Sequence, residues 1–498
     1  MRRVRSVLFI DDEWGTPDHP DVIGKFRGVA ADSELNVVFR YSTAAESAGS
    51  YSVKQALHAI EATPDLAAVV LDLAFGPDDQ LGLAILAAAR QRWPGLSLIM
   101  LTATDSDENL EPLEEAMGVG ATDYICKKWP SKVASEILAA HLLPGRSERR
   151  PVIWGTADSL REARRRVVRA AYSGANILVT GESGTGKELV ARAIHNLGPR
   201  RLGPFVAANA GAKDSALIED DMFGHVKGAF TGATTARKGW FESANGGVLF
   251  LDEISAIPVY LQVRLLRVLE SRKFSRGGET HETETDFQLV CASNQPLGQL
   301  VREGKLREDF FFRIQEIEIP LPPLRERLED IPLLAQTFLD EFNETTKMGS
   351  RNYRFDSSAI KQLQSHPWHG NVRQLRKVVR QACIFSRSPI ITDRDIAFDN
   401  TAGPSPGPES AAHRSFPALP ADPKEWPRFR QRSMLQLLVE ARRRCRSNAE
   451  FVNRMFPEAR NDDLRRALNH IFKAPYGACS TEEFEELASL RSELESFL

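Results

Sequence analysis

Short apolar runs alternate with longer helix-like stretches over the first 142 residues of the chain. Four runs have the length and the apolar content of buried strands: Val7–Ile10, Ala68–Leu71, Leu98–Leu101 and Tyr124–Cys126. Successive parallel strands need a long crossover connection, which is usually a helix. The pattern therefore predicts an α/β fold, a doubly wound parallel sheet, over residues 1–145.

A second strand and helix series begins near residue 150. Its predicted strands are Ile177–Thr180, Val206–Ala208, Val248–Leu251 and Leu289–Ala292, and residues 330–398 have the pattern of helices only. We therefore expect an α/β core over residues 150–320 and a helical lid over residues 321–398. Seven prolines between residues 401 and 427 predict a flexible linker at 399–427, followed by a small all-helical domain at 428–498.

The composition is that of several ordinary globular domains. The 498 residues include 64 Lys and Arg against 67 Asp and Glu, and 42% are hydrophobic, which excludes a wholly disordered or histone-like chain. The charge is uneven, because residues 1–145 hold 12 basic and 21 acidic side chains while residues 424–473 hold 13 and 6. The second segment is locally basic and is a candidate for contact with nucleic acid.

Cysteine usage and hydropathy indicate a cytoplasmic protein. The five cysteines are odd in number, widely spaced and never in a CxxC pair, so neither a disulfide framework nor a zinc cage is predicted. The longest apolar stretch, Leu81–Ala89, is about half of the roughly 18 residues that cross a membrane. We expect no membrane partner.

A glycine-rich loop follows the predicted strand Ile177–Thr180. Its sequence, GESGTGK at 181–187, contains Gly181, Gly184 and Gly186, which let successive backbone N–H groups surround phosphate oxygens, while Lys187 reaches the terminal phosphates. A strand, loop and helix in this order predict a nucleotide phosphate site; a plain turn with a surface lysine is the other interpretation. Glu188 stands where the general motif has a hydroxyl ligand to Mg²⁺.

Polar residues follow two later strands of the same series. Asp252 and Glu253 end GGVLFLDE, and Asp252 could hold Mg²⁺ while Glu253 polarises the attacking water. Asn294 follows the next strand and could sense the terminal phosphate. Capping of a helix or turn is the other interpretation for all three side chains.

Three arginines beyond these strands are further candidates. Arg307 and Arg313 lie six apart in LREDFFFRI and would suit a transition-state contact supplied by a neighbouring subunit, although a solvated basic helix face is the other interpretation. Arg373 lies in the lid helix WHGNVRQLRKVV and could respond to the nucleotide within its own chain.

The segment GAFTGA at 228–233, preceded by Met222-Phe223-Gly224-His225, places an aromatic side chain among small residues. An exposed Phe between such residues neither packs nor stabilises a helix, which favours a loop tip that presses Phe230 and Thr231 onto a partner. Together with the phosphate loop, residues 150–390 resemble the AAA+ domain of the sigma-54-dependent transcription activators.

This resemblance implies an ATP- and Mg²⁺-dependent ATPase that forms a ring of identical subunits. It implies that the GAFTGA loop contacts sigma-54, through Gly228, Ala229, Phe230, Thr231, Gly232 and Ala233. Asn209 would partner Glu253 in a switch, Asn294 would be a first sensor, Arg373 a second sensor, and Arg307 and Arg313 fingers acting on the neighbouring subunit. The implied ATP contacts further include the loop residues Glu182, Ser183, Thr185 and Glu188.

Polar residues also follow the strands of the first domain. The carboxyl ends of parallel strands share one edge of a sheet, which gathers the residues that end the first, third, fourth and fifth strands: Asp11 and Asp12, Asp72, Thr102 and Lys127. Clustered carboxylates repel one another unless a divalent cation joins them. The arrangement resembles a two-component receiver.

The receiver resemblance implies that Asp72 accepts a phosphoryl group from a histidine kinase. Asp11, Asp12 and Asp72 would then bind Mg²⁺, and Thr102 and Lys127 would contact the phosphoryl group. Two other interpretations remain open: a pseudo-receiver that signals by contact alone, and an unrelated α/β domain.

The basic C-terminal segment predicts helices at Leu435–Arg444, Ala449–Phe456 and Asp462–Phe472. They would suit a divergent helix-turn-helix in which Arg460, Arg465 and Arg466 contact DNA. Asp462 and Asp463 would oppose DNA at that position, so a protein-interaction or dimerisation bundle is the other interpretation.

Together these features predict a cytoplasmic response regulator. Phosphorylation at Asp72 would permit ring assembly, and ATP hydrolysis would move the GAFTGA loops and remodel sigma-54 RNA polymerase at a promoter reached from enhancer DNA. The alternatives are a AAA+ remodeller of another client and a nucleotide-binding regulator that does not turn over ATP.

Overall fold

The computed structural model describes residues 4–11, 26, 36–42, 51–74, 81–103, 110–142, 153, 155–211, 215–230, 233–345, 352–386 and 388–398. The chain divides into two compact units, residues 1–402 and 403–498. Every described residue lies in the first unit. The predicted linker and C-terminal helical domain lie outside the described residues.

A five-stranded parallel sheet forms the N-terminal domain, with strand order β2-β1-β3-β4-β5. The strands are β1 (Val4–Ile10), β2 (Asn36–Ser42), β3 (Leu66–Asp72), β4 (Ser97–Thr102) and β5 (Asp123–Cys126). The described helices that accompany them are α1 (Val53–Ala62), α2 (Leu81–Arg92), α3 (Glu111–Val119) and α4 (Ser131–Leu142). This confirms the predicted doubly wound sheet.

A second five-stranded parallel sheet forms the core of the next domain, with strand order β14-β6-β13-β10-β7. Its strands are β6 (Ile177–Thr180), β7 (Phe205–Asn209), β10 (Val248–Asp252), β13 (Gln288–Ser293) and β14 (Ile317–Pro320). Central strands β10 and β13 are buried along almost their whole length, which is why their sequences are continuous apolar runs. The order brings β6, β13 and β10 side by side, so their carboxyl ends meet at one edge.

Helices and two short hairpins surround this second sheet. The helices are α5 (Asp158–Ser173), α6 (Lys187–Leu197), α7 (Ser215–Phe223), α8 (Trp240–Ser243), α9 (Val259–Ser271), α10 (Leu297–Arg302) and α11 (Glu308–Ile314). The hairpins pair β8 (Gly224–His225) with β9 (Arg237–Lys238), and β11 (Lys273–Phe274) with β12 (Thr283–Glu284). The sequence predicted none of these two-residue strands.

The lid contains α12 (Ile331–Thr345), α13 (Ser357–Ser365) and α14 (Asn371–Phe385) around its own apolar core. The prediction of helices only is wrong in one detail, because β15 (Arg354–Phe355) pairs in parallel with β16 (Ile390–Ile391). Two residues are too few to show an alternating pattern, so this pairing depends on contacts that are distant in sequence.

The first domain packs against the second through α3 and α5. Their apolar side chains belong to one continuous buried cluster. At its margin the Arg169 guanidinium pairs with the Glu114 carboxylate at 2.5 Å. Within the described part of the chain, no helix combines the length and the apolar character needed to cross a membrane.

Candidate functional site

The phosphate loop lies between the end of β6 and the start of α6. Gly184 and Gly186 have φ angles of 81° and 106°, which side chains with a Cβ rarely adopt. A side chain at position 184 would also clash with the backbone carbonyl of Gly370 in the lid. The loop therefore requires glycine both for its conformation and for the close approach of the lid.

Lys187 is the first residue of α6, and its ammonium group is folded into this loop. It donates hydrogen bonds to the backbone carbonyls of Gly181 at 2.8 Å and Glu182 at 3.0 Å. Burial lowers the pKa of Lys187, and the nearby Asp252 carboxylate partly opposes that shift. The ammonium group therefore lies within the loop, and its contact with phosphates stays a prediction.

Asp252 and Glu253 stand at the carboxyl end of β10. The backbone N–H of Glu253 donates to Asp252 Oδ1 at 2.9 Å. Glu253 has a φ of 56°, a left-handed conformation that is costly outside glycine and is found mainly where function requires it. A Cβ at position 211 would overlap the Glu253 carboxylate, so a side chain there would require that flexible carboxylate to move.

Asn209 ends β7 directly beside Asp252 in the sheet register. Its side-chain oxygen accepts a hydrogen bond from the Gly211 N–H at 2.7 Å. Asn209 and Glu253 therefore both lie next to Gly211, although no hydrogen bond between their side chains occurs among the described residues. Their partnership as a switch stays a prediction.

One cavity of about 540 Å³ lies between this edge of the core and the lid. Its lining includes residues that the sequence singled out: Ser183, Gly184, Thr185, Gly186, Lys187, Glu188, Asn209, Asp252, Glu253, Asn294 and Arg373. Apolar side chains line it too: Ile153, Leu160, Leu321, Leu334, Phe338 and Val372. A cavity lined by a phosphate loop and by several apolar side chains has the chemistry to hold a nucleotide.

The lid is fastened to the phosphate loop by side chains that the sequence did not single out. The Arg325 guanidinium donates to both carboxylate oxygens of Glu182, at 2.7 and 2.8 Å. The buried Asn371 amide donates to Glu182 Oε2 at 3.0 Å and to the Ser183 carbonyl at 3.1 Å. These bonds, with Arg325 foremost, lower the pKa of Glu182 to about 2.

Arg373 also reaches the loop, donating to the Ser183 hydroxyl at 3.1 Å. One helical turn later Arg376 lines the same cavity and pairs with Glu341. Arg327, which is 4% exposed, lines the cavity too and donates to the Thr185 carbonyl at 3.3 Å. Neither Arg327 nor Arg376 could be predicted from the sequence, since single arginines in the lid belong to no motif.

Neither Arg307 nor Arg313 lines this cavity. Arg307 immediately precedes α11 and pairs with Asp309 at 2.7 Å. Arg313 pairs with Glu316 at 3.1 Å and donates to the Leu269 carbonyl at 3.0 Å. Their side chains are 42% and 38% exposed, respectively. Their placement agrees with the prediction that neither reaches its own phosphate loop.

The described residues of the GAFTGA segment, 228–230 and 233, lie in the connection between β8 and β9. Phe230 is 53% exposed, whereas Ala233 is buried. Thr231 and Gly232 lie outside the described residues. The aromatic side chain therefore stands out from the core on a connection between two paired strands, as the sequence predicted for a contact loop.

The first sheet carries a second cluster of the predicted side chains. The Lys127 ammonium lies 2.7 Å from Asp72 Oδ2 and 3.9 Å from Asp11 Oδ2, and both carboxylates are buried. The Lys127 N–H donates to the carbonyl of Thr102 at 2.7 Å, which joins the ends of β4 and β5. Asp12 lies outside the described residues, and those residues alone contain no group of three metal-ligating side chains.

Two protein families match consecutive parts of the chain. Residues 153–320 match the family described as "Sigma-54 interaction domain", and residues 325–412 match "AAA+ ATPase lid domain". The regulatory protein AtoC of Escherichia coli (strain K12) is 36% identical over 394 residues, which are 74% of this chain and 83% of AtoC. The transcriptional regulator NtrC of Proteus hauseri is 38% identical over 329 residues, 64% of this chain and 68% of NtrC. This chain belongs to the sigma-54-dependent transcription activators.

A solved structure is similar along most of the chain. The crystal structure of NtrX from Brucella abortus in complex with ADP is 28% identical, with a TM-score of 0.47, and covers 94% of this chain and 100% of that one.

As a member of this family, the activator is a two-component response regulator that acts on sigma-54 RNA polymerase in an ATP-dependent manner. The structure brings most of the predicted nucleotide-binding residues into one cavity, but Gly181 and Glu182 do not line it, and neither do Arg307 and Arg313. The DNA-contact candidates Arg460, Arg465 and Arg466 lie outside the described residues.

Proposed function

We propose that this activator hydrolyses ATP in the cavity between core and lid and uses the turnover to press the GAFTGA loop onto sigma-54, so that the promoter opens. The observation that carries this proposal is the convergence of Lys187, Asp252, Glu253, Asn294 and Arg373 on one cavity. An ammonium group, two carboxylates, an amide and a guanidinium are the groups that phosphoryl transfer to water requires.

Each of these side chains has a distinct task. Lys187 balances the charge of the terminal phosphates, and Asn294 and Arg373 contact them from the core and from the lid. Glu253 orients the attacking water and accepts its proton. Asp252 fits Mg²⁺, because carboxylate oxygen is the preferred ligand of that ion and Asp252 Oδ2 remains after Oδ1 accepts the Glu253 N–H. Mg²⁺ held by Asp252 would neutralise phosphate charge.

The catalytic unit is completed by a neighbouring subunit in a ring. Arg307 and Arg313 are partly exposed and do not line their own cavity, and Phe312 between them is 64% exposed. A surface with two guanidinium groups and an exposed aromatic ring suits contact with a second copy of the chain. There Arg313 and Arg307 stabilise the charge that develops on the transferred phosphoryl group.

The receiver takes a phosphoryl group on Asp72 from a histidine kinase. The ammonium of Lys127, at 2.7 Å from the Asp72 carboxylate, is placed to neutralise the added charge, and the Thr102 hydroxyl stands at the end of the adjacent strand. Asp11, together with Asp12 and Asp72, supplies the carboxylate oxygens that suit Mg²⁺. This modification favours assembly of the ring.

The proposed function also includes binding to DNA and a location in the cytoplasm. The basic segment 424–473 binds enhancer DNA through Arg460, Arg465 and Arg466, whose contacts with phosphates do not depend on base sequence. The protein works in the cytoplasm.

Nucleotide binding and turnover, measured separately on three variants, test the central site. Lys187→Ala weakens ATP binding, whereas Glu253→Gln retains binding and loses turnover by about 10² or more, as expected when water activation is removed. Glu270→Gln, an exposed carboxylate on α9, is the matched control and keeps parental rates. Parental turnover by Glu253→Gln overturns the role given to that carboxylate.

A further inference from the structure

The loop that carries Phe230 is braced at its base by one imidazole ring. His225 is the last residue of β8 and pairs with Arg237 of β9 across the hairpin. Beyond this pair, the Gly228 N–H donates to the Ala233 carbonyl at 2.9 Å, and the Ala233 N–H donates to the Phe230 carbonyl at 3.0 Å. These hydrogen bonds hold the base of the loop in one arrangement. A side chain that contacts the base can therefore affect the position of the loop.

Both nitrogens of the His225 ring face oxygen atoms that only accept hydrogen bonds. Nδ1 lies 2.6 Å from the Asp220 carboxylate on α7, and Nε2 lies 3.0 Å from the backbone carbonyl of Thr235. A neutral imidazole donates from one nitrogen only, whereas the imidazolium donates from both. The observed geometry is therefore satisfied fully by the charged ring, which joins α7 to the returning side of the loop.

The charged groups around the ring are acidic on α7 and basic on β9. The second oxygen of Asp220 pairs with Arg237 at 3.3 Å, and Arg237 also pairs with Asp221 at 2.6 Å. On the other side, Gly277 forms a backbone bridge with His225, and its neighbour Arg276 pairs with Glu242 at 2.8 Å. Asp220 is thus the carboxylate that the imidazolium contacts directly.

The same ring touches the loop tip. The ring centroids of His225 and Phe230 are 5.0 Å apart, and the planes meet edge to face at 66°. His225 is 9% exposed while Phe230 is 53% exposed, so a buried, hydrogen-bonded ring supports a ring that projects into solvent. Edge-to-face contact fixes the direction of the outer ring.

We propose that His225, in its imidazolium form, is a positioning residue that holds Phe230 ready for sigma-54, and that loss of its second proton releases this support. The proposal rests on the proposed contact of Phe230 with sigma-54. Capture of sigma-54 should weaken as the pH rises, because a neutral ring has one donor for the two acceptors.

The test is binding of the full-length protein to labelled sigma-54 in the presence of Mg²⁺, ADP and aluminium fluoride, followed from pH 6 to pH 8.5. His225→Asn can still donate to Asp220, His225→Gln can still donate to the Thr235 carbonyl, and His225→Ala can do neither. We expect His225→Ala to bind on the order of tenfold more weakly at pH 6, as for a lost charge-assisted hydrogen bond. The Asn and Gln variants should recover part of that loss and bind independently of pH.

His281→Gln is the matched control, since His281 is an exposed histidine outside this hairpin. It should keep the parental pH profile. If sigma-54 binding by His225→Gln falls with rising pH as it does for this control, the role of the imidazolium is overturned. If His225→Ala binds sigma-54 as tightly as the parent, the positioning role is overturned altogether.

Two further measurements separate this inference from the proposed function. Parental binding by Phe230→Ala refutes the sigma-54 contact itself, whatever His225 does. Hydrogen exchange of the amides of residues 226–235 in the protein alone, without sigma-54, should accelerate in His225→Ala relative to the parent. Unchanged exchange there contradicts the brace even if the Phe230 contact with sigma-54 holds.

Discussion

The phenolic oxygens of Tyr124 in the receiver and Tyr172 in the ATPase core lie 2.5 Å apart. The Tyr124 hydroxyl also donates to the backbone carbonyl of Leu197 at 2.7 Å, so the two tyrosines form a chain of hydrogen bonds in which Tyr172 donates to Tyr124. Tyr124 precedes Lys127 by three residues, and Leu197 ends the helix that begins with Lys187. The hydrogen bonds of Tyr124 therefore connect the two sites. The end of β5 leads from Tyr124 to the receiver cluster, and α6 leads from Leu197 to the phosphate loop.

Because the two tyrosines share a hydrogen bond, we expect their substitutions to have non-additive effects on the free energy of unfolding. Burial raises the pKa of Tyr124 well above its usual value, so its hydroxyl stays protonated and able to donate. Tyr124→Phe removes two hydrogen bonds and should lower the free energy of unfolding by about 2 kcal/mol; Tyr172→Phe removes their common bond and should cost about 1 kcal/mol. The double variant should cost less than the two single costs combined.

Urea unfolding of the four proteins measures these values, with Tyr260→Phe as the control because Tyr260 is 48% exposed. Strictly additive costs would show that the two hydroxyl groups do not share a bond.

The clamp between Glu182 and Arg325 predicts a dependence of stability on acid. The pKa of Glu182 falls from 4.5 to about 2 because Arg325, and after it Asn371, bind the ionised carboxylate. A lowered folded-state pKa gives stability that is fully present above pH 4.5 and is lost as the pH falls towards 2. Because both side chains are about two-fifths exposed, the gain is screened by solvent, and we expect about 0.5 kcal/mol at pH 7.

Urea unfolding of Glu182→Gln and of the parent at pH 7 and pH 3 measures the contribution of this ion pair to the free energy of unfolding. The difference in unfolding free energy should shrink at the lower pH, while Glu270→Gln should show no such trend. A difference that grows as the pH falls contradicts the assignment of this ion pair.

The sequence predicted four of the five strands in each sheet and the side chains at the carboxyl ends of those strands, but neither β2 nor β14. Gly184, Lys187 and Asp252 follow apolar strands, and the parallel arrangement of those strands brings them together. Asn371 and Arg325 could not be predicted in the same way. Asn371 contacts Glu182 from 189 positions away in the sequence, and such a pairing depends on how the lid packs on the core.

The His225 brace was hidden for a related reason. The motif indicated an exposed loop, but the acceptors of its ring nitrogens, Asp220 and the Thr235 carbonyl, belong to α7 and to the far side of the loop. The hairpin strands are two residues long and leave no pattern in the sequence. Neither contact is encoded by the periodicity of its own segment.

The arrangement of Arg313 predicts complementation between defective subunits. Neither Arg313→Ala nor Lys187→Ala alone should turn over ATP at an appreciable rate. Mixed rings should recover part of the activity, because at some interfaces an intact cavity meets an intact guanidinium. Phosphate release as a function of the mixing ratio measures the recovery.

In the control mixture, the Arg313→Ala subunits are replaced by subunits that carry both Arg313→Ala and Lys187→Ala. These are mixed with Lys187→Ala subunits as before. That combination offers no interface with both functional parts and should stay inactive. Mixed rings of the two single variants that also stay inactive would contradict an action of Arg313 across the interface.

The central claim is that ATP turnover reaches sigma-54 through the exposed tip of the β8–β9 hairpin. Phe230→Ala and Thr231→Ala are the decisive variants, with Phe385→Ala as the control, since Phe385 is an exposed aromatic residue at the end of α14. The most direct measurement is ATP-dependent open-complex formation at a sigma-54 promoter, alongside ATPase activity in the same samples. We expect both loop variants to keep most of the ATPase activity and to form no open complexes, and parental promoter opening by either variant would contradict the account.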